Sequence, residues 1–304
     1  GNAHPPDRTI AYLKYAPDER GKWGRGRSRY RRALQHYNVP SVTDSIRFLR
    51  TNAPQYVYES TVHGIALPAV PTDLIVEHLR PEERLLQLQS AQHRDELEEK
   101  ALRLVQLISQ NASVPTEGLG LTGSLLARIH DPAFSDIDLI VYGFNNAVRV
   151  RTCLQRLKQF SSGTVQRLSG ASEEKWIAER LNSTPLTRQN VIDLLARKWN
   201  IGLFDGTEFS VHAVHTEVEV RGRYGDERYY DVADRFTSFA RERGYDPAAL
   251  AVAWVAGHPA VTAPIIGARN ADQLRASLAA VDIPMTPELR AAISPLSPEP
   301  PPAT

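Results

Sequence analysis

Cysteine is almost missing from this chain: Cys153 is the only one in 304 residues. It has no partner for an internal disulfide, and it excludes a cysteine-rich zinc site, a usage that fits a reducing cytoplasm. Apolar runs are short. None approaches the roughly 18 residues of a membrane span, and no signal peptide is visible, so a cytoplasmic protein without a membrane partner is expected. Methionine occurs once, at Met285, while residue 1 is Gly; the chain reads as processed or as a fragment. Net charge is also nearly absent, at +1. That balance hides an asymmetry, since residues 1–225 carry about +4 and residues 226–304 about −3. There is no internal repeat, and only the tail PLSPEPPPAT is low in complexity, which marks it as disordered.

What is present is enough for two ordinary domains, with 42% apolar residues to fill their cores. Residues 8–16 read as one strand, and residues 42–53 as a helix capped by Ser41. Strand-like pieces follow from Tyr56 to Leu79. A long helix is expected from about Pro81 to Ser109, with Leu97, Ala101, Leu104, Val105 and Ile108 on one face. Residues 145–160 form another amphipathic helix through Val148, Cys153, Leu154 and Leu157. Helical patterns return at 172–181 and 187–198, and residues 206–214 read as a strand after a glycine turn. The run from Arg20 to Arg32 packs seven Lys/Arg among Trp23 and Tyr30. Such interleaving suits single-stranded nucleic acid, and it equally describes a solvated loop.

The most informative stretch is GLGLTGSLLARIHDPAFSDIDLIVYG, residues 118–143. It reads as a strand at Leu119–Leu121, a glycine turn, a short helix, a polar loop and a strand at Ile137–Tyr142. Alternate strand residues share a face, so Asp136 and Asp138 point the same way, roughly 7 Å apart at Cα. Two such carboxylates repel unless a cation lies between them. Gly123 allows backbone to approach a ligand, and the helix start at Ser124 aims free N–H groups outward, where phosphate is favoured.

The GS turn followed by D-I-D-L and an apolar strand resembles the nucleotidyltransferase superfamily typified by DNA polymerase β. Together with RTIAYLKYAPD and KWNIGLFDGTEFSVHAV, it resembles a group of predicted nucleotidyltransferases over about residues 7–226. The resemblance implies an α/β (α+β) mixed sheet with flanking helices. It also implies Mg²⁺-dependent transfer of a nucleotide from an NTP to an acceptor hydroxyl on a small molecule, RNA or protein. Gly123 and Ser124 would hold phosphates, and Asp136 and Asp138 two Mg²⁺ ions. A third carboxylate would complete the site, with Glu208 the first choice and Asp205 and Glu217 the alternatives. His130 either orients the loop or contacts phosphate, and packing is the commoner role. Ser135 supports the turn. Arg197 and Lys198 either reach a triphosphate or complement a helix end. His212 and His215 lie three apart on a strand and so face opposite ways.

From about Arg228 the character changes. Helices are expected at 230–243, 247–257 and 270–280, with a strand from Val261 to Ile266. The segment resembles the C-terminal end of an aldo-keto reductase, the last βα unit of a TIM barrel. That resemblance implies an NADP site in which Gly267, Arg269 and Gln273 contact the cofactor, a guanidinium and a helix start making an anion site. Where many relatives hold the adenine with an acidic residue and Asn, this chain has Ala276 and Ser277. Upstream, nothing resembles that family's catalytic Asp, Tyr, Lys and His motifs, and one unit cannot close a barrel. The sequence divides accordingly into an N-terminal α+β region (1–80), a nucleotidyltransferase-like domain (81–226), a reductase-like fragment (227–292) and a proline-rich tail (293–304), an apparent fusion.

Overall fold

Prolines and glycines keep the N-terminal strands short in the computed structural model. It describes residues 4–25, 28–33, 39–62, 64–159, 163–216, 218–219, 228–258, 261 and 263–297. The first elements are β1 (Arg8–Ile10), β2 (Tyr15–Pro17), β3 (Trp23–Arg25), β4 (Ser28–Arg32) and helix α1 (Val39–Asn52), then β5 (Val57–Ser60) and β6 (Ile65–Pro71). One sheet has the order β1-β6-β5 and a second β2-β4-β3, all antiparallel. The single strand expected at 8–16 is therefore corrected to two, one in each sheet.

The expected long helix is likewise two: α2 (Pro81–Ser90) and α3 (Glu96–Ala112). Ala91 is extended, and the Arg94 guanidinium donates to the Leu88 carbonyl at 3.1 Å and to that of Ala91, holding the break. Asp95 then starts α3 with a capping box shared with Glu98, which satisfies orphan N–H groups that a continuous helix would not have. The apolar face of α3 (Leu97, Ala101, Leu104, Val105 and Ile108) is fully buried.

That face covers a five-stranded mixed sheet. Along the chain from here run β7 (Leu119–Leu121), the one-turn helix α4 (Gly123–Leu126), β8 (Ile137–Tyr142), α5 (Phe144–Leu157), β9 (Val165–Gln166), α6 (Gly170–Ser183), α7 (Arg188–Arg197), β10 (Ile201–Phe204) and β11 (Thr207–Val214), the five strands making the sheet. The strand order is β7-β8-β11-β10-β9. β8 and β11 run parallel, and the other pairs antiparallel. Leu119, Leu121, Ile137, Leu139, Val141 and Val211 share one core with α3 and α5, each buried aliphatic contributing about 1.5–3 kcal/mol. On α5, Val150 takes the inward position; Val148 is 45% exposed, contrary to expectation.

Residues Gly1–Tyr224 form one unit and Gly225–Thr304 another. The second unit contains α8 (Arg228–Glu242), α9 (Pro247–Ala256), α10 (Ala271–Leu278) and α11 (Pro287–Ile293). Phe239, Ala240, Leu250 and Ile293 make its core. The strand expected at Val261–Ile266 is absent among the described residues of that segment, and Ile265 is fully exposed. A strand needs a neighbour for its hydrogen bonds, whereas the helices on either side satisfy their own. The tail assignment also moves: residues 294–296 form a 3-10 turn and Leu296 packs on the core, so order extends past residue 293. Residues 298–304 lie outside the described set.

Candidate functional site

The outer face of β8 and β11 forms the floor of a cleft of about 930 Å³ within the first unit. Parallel register sets Ser210 beside Asp138 and Phe209 beside Ile137. With side chains alternating, Asp136, Asp138, Glu208, Ser210 and His212 emerge on the same side, and all five line the cleft. Gly123 sits against this row with φ +65°, and a Cβ there would overlap the Asp138 carboxylate, so only glycine fits. Ser124 is buried at the cleft edge.

The two aspartates titrate in opposite directions. Burial among protein atoms, then the Asp138 charge and more weakly that of Glu208, push the Asp136 carboxyl up. Burial also works against the Asp138 charge, but the nearby His212 ring and the Ser210 hydroxyl outweigh it and hold that carboxyl below the usual range. Ser210 donates to Asp138 Oδ1, and its hydroxyl lies 2.8 Å from His212 Nε2. The His212 nitrogen itself is 3.9 Å from Asp138, so Ser210 is the stronger local partner.

Glu208 is occupied differently: it accepts from the Ser172 hydroxyl at 2.7 Å and faces Lys175 at 3.9 Å. Asp205 sits in the β10–β11 turn at φ +46°, paired with Arg103 at 3.2 Å and away from the cleft lining. Glu217 lies outside the described residues. Asp136, Asp138 and Glu208 are not a tight ligand set. Among the described residues, the His/Cys/Asp/Glu group whose ligand atoms all fall within 4.8 Å is Asp95, Glu98 and His130. That group is already knit by protein contacts. His130 Nε2 lies 2.8 Å from Asp95, and Arg84 donates to Glu98 at 2.7 Å and to the Leu125 carbonyl at 3.0 Å. His130 therefore packs, as its commoner role suggests, under the loop that carries Ser135. The Ser135 hydroxyl accepts from the Asp131 N–H at 3.0 Å, supporting the turn. Arg197 and Lys198 are exposed and do not line the cleft.

Sequence reasoning named Lys22 and Arg32 only as part of the Arg20–Arg32 run, and it missed Lys14, Lys175 and Arg180, which line the cleft with them. It also missed Phe134 and the pairing of Ser210 with Asp138. Only the period-2 pattern of 206–214, set in parallel register with β8, would have pointed to Ser210.

In the second unit, the Arg269 N–H donates to the Gln273 side chain at 2.9 Å. Asn270 caps α10 by accepting from the Gln273 N–H at 2.9 Å. Gly267 has open space around its Cα, so its lack of a side chain is not a packing requirement.

Residues 160–297 match the model of the aldo/keto reductase family. The chain is 37% identical over 67 residues to "Uncharacterized oxidoreductase YrpG" of Bacillus subtilis, covering 22% of this chain and 21% of that protein. It is 28% identical over 229 residues to "Uncharacterized protein MJ1086" of Methanocaldococcus jannaschii, covering 75% of this chain and 66% of that protein. The chain thus spans just under two thirds of one relative and about a fifth of the other. No solved structure matches. The likeness to the aldo/keto reductase family therefore begins well before Arg228, taking in β9 to β11.

These matches correct the expected activity. The family model and the relative named for a reaction both point to an oxidoreductase, not to an Mg²⁺-dependent nucleotidyltransferase, and magnesium and ATP find no support in them. The physical reason for the misreading is that a GS turn and two aspartates on alternate strand positions form a small local pattern, one that any α/β edge can carry. Among the described residues, no helix is long and apolar enough to cross a membrane.

Proposed function

We propose that the second unit is the cofactor-phosphate end of an NADP(H)-dependent aldo/keto reductase, and that this chain binds NADP(H) there without reducing a carbonyl by itself. The observation that carries this reading is the family match running through the Arg269–Gln273 corner. The Arg269 guanidinium pairs with the 2′-phosphate that distinguishes NADP from NAD, while the start of α10 adds unpaired N–H groups. Gln273 and Asn270 fix the turn before any ligand arrives, which lowers the ordering cost of binding. Ala276 and Ser277 offer no acidic or amide group to the adenine, so affinity rests on the phosphate. Hydride transfer from the nicotinamide to a carbonyl carbon needs the rest of a barrel to position both and to supply the proton. The sheets described here have three, five and three strands and form no eight-stranded barrel.

NADPH fluorescence titration tests this. The expected result is saturation at high micromolar cofactor, preference for NADPH over NADH, and loss of that preference in Arg269→Ala by about tenfold, the scale of one charge-assisted contact. An absence of saturation, or equal binding of NADH by wild type, disposes of the reading.

A second reading concerns the cleft, favoured by the Asp136 and Asp138 carboxylates emerging side by side in its lining, with Asp138 against Gly123. This pair accepts a single divalent cation, with Glu208 held aside by Ser172. A Mn²⁺-dependent thermal shift that vanishes in Asp138→Asn supports it, and an unchanged shift removes it.

A further inference from the structure

One wall of the cleft is an aromatic and cationic surface that neither reading above uses. It is built on the β2-β4-β3 sheet, where Tyr15 pairs with Arg32 and Trp23 with Tyr30. Residues paired across antiparallel strands share a face, so three aromatics and an arginine lie on one side. The Trp23 ring meets that of Tyr15 at 5.7 Å and that of Phe134 at 6.0 Å, both edge to face. Lys22 Nζ stands 4.7 Å from the Trp23 ring centre and 4.8 Å from that of Phe134. Phe134 is 44% exposed and Trp23 half-buried, so ring surface remains open to solvent.

The wall is also fixed in place. The Gly24 N–H donates to the Ile129 carbonyl at 2.8 Å, tying β3 to the loop that ends at Asp136. Gly24 has φ +98°, and a Cβ there would strike the Ser28 carbonyl. The cleft lining also includes Lys175 and Arg180 from α6, together with Lys14, Lys22 and Arg32. Five cations from several segments beside partly exposed rings suit successive phosphates and bases better than one small anion. A cleft of 930 Å³ also sits at the upper end of ordinary small-molecule sites.

We propose that this wall binds single-stranded nucleic acid, with bases stacked on Trp23 and Phe134 and phosphates tracking Lys22, Lys175 and Arg180. Stacking platforms flanked by cations bind strands without reading sequence, because every base has a π-face. The carboxylates of the floor keep the backbone to these cations. This site is independent of the NADP(H) corner, and either stands if the other fails.

The test is fluorescence anisotropy of a labelled RNA of about 12 nucleotides, within the usual site size of roughly 4–16, using the full chain. The expected Kd is on the order of 1–100 µM, weakening with salt between about 50 and 200 mM. Trp23→Ala should weaken binding about 5- to 150-fold, whereas Trp23→Phe, which keeps a ring and guards against a misfolded hairpin, should stay within about threefold. The double variant Lys22→Ala/Lys175→Ala should reduce the salt slope by about 1.4. Single-stranded DNA of the same sequence should compete. No binding, equal binding of a duplex, or competition by a mononucleotide at the same molar concentration as the strand overturns the proposal. Insensitivity to both Trp23 variants does so too.

Discussion

The two units hold themselves together by different means, and the contrast explains which features of each survive. The first unit closes helices over a sheet, and its interior contains charged groups that are satisfied by one another or by backbone: Arg84 with Glu98, and Lys158 with the carbonyls of Trp199 and Ile201. The second unit is helical, with side-chain caps at Asp246, Asn270 and Thr286 and a small apolar core. A helix satisfies its hydrogen bonds internally, so α8 to α11 form without a strand beside them among the described residues. A strand at Val261–Ile266 would need a neighbour, and among the described residues there Ile265 lies in water.

If the contrast is right, breaking the buried pair must damage only the first unit. Arg84 and Glu98 are about one-tenth exposed and 2.7 Å apart. Glu98 also accepts from the Asp95 N–H to complete the α3 cap. Glu98→Ala leaves a buried guanidinium uncompensated, at a cost of about 3–5 kcal/mol. Calorimetry should show the first unit melting much earlier with the second unit's transition unmoved. A common shift of both would show that they unfold as one.

Lys158 sharpens the same contrast through pH. Burial lowers its pKa to about 8, while in the unfolded chain it returns to about 10.4. Between those values the unfolded chain holds the extra proton, so stability of the first unit rises with pH across that window. Below about pH 8 the cost of the buried charge is fully present. In Lys158→Met the rise should be smaller by about 1–3 kcal/mol across the window, although the lost bonds to Trp199 and Ile201 lower stability throughout. Denaturant titration at stepped pH measures both proteins. Parallel slopes for wild type and Lys158→Met would count against a depressed lysine.

Periodicity made the long elements legible. The α3 face, β8 and β11 were all readable because one residue set per turn or per alternate position is apolar. Breaks and pairings were not readable, since Ala91–Arg94 interrupts a helical pattern by side-chain bonds to carbonyls, and β9 has two residues. The cleft was half legible: Asp136, Asp138 and Gly123 stand close in sequence and in space. Lys14, Lys22, Phe134 and Arg180 come from distant segments that only the fold assembles. The functional reading failed in the resemblance over residues 7–226, whose chemistry rested on the GS turn and two aspartates, while the shorter C-terminal resemblance agreed with the family match.

The smallest expected effect separates ligand binding from stability within the first unit. The Asp136 carboxyl is raised chiefly by burial and then by Asp138, so its ionised form at neutral pH costs stability. The sign is that of a raised acid: its contribution is favourable below the unfolded pKa and is lost as pH rises through the folded one. Asp136→Asn keeps the shape and removes the charge. Protein atoms crowd the Asp136 carboxyl although its side chain still reaches the solvent of the cleft, so in metal-free buffer at pH 7 this change should stabilise the first unit by up to about 1 kcal/mol once solvent screening is allowed for. The gain should shrink toward pH 4, where the wild-type carboxyl takes up its proton. Nothing comparable is expected in the second unit, where the acids shown at helix starts, Asp246 and Glu288, sit in favourable positions. A loss of stability in Asp136→Asn at pH 7 would mean that the carboxylate is held by partners stronger than the repulsion from Asp138, and the cation reading of the pair would lose its footing.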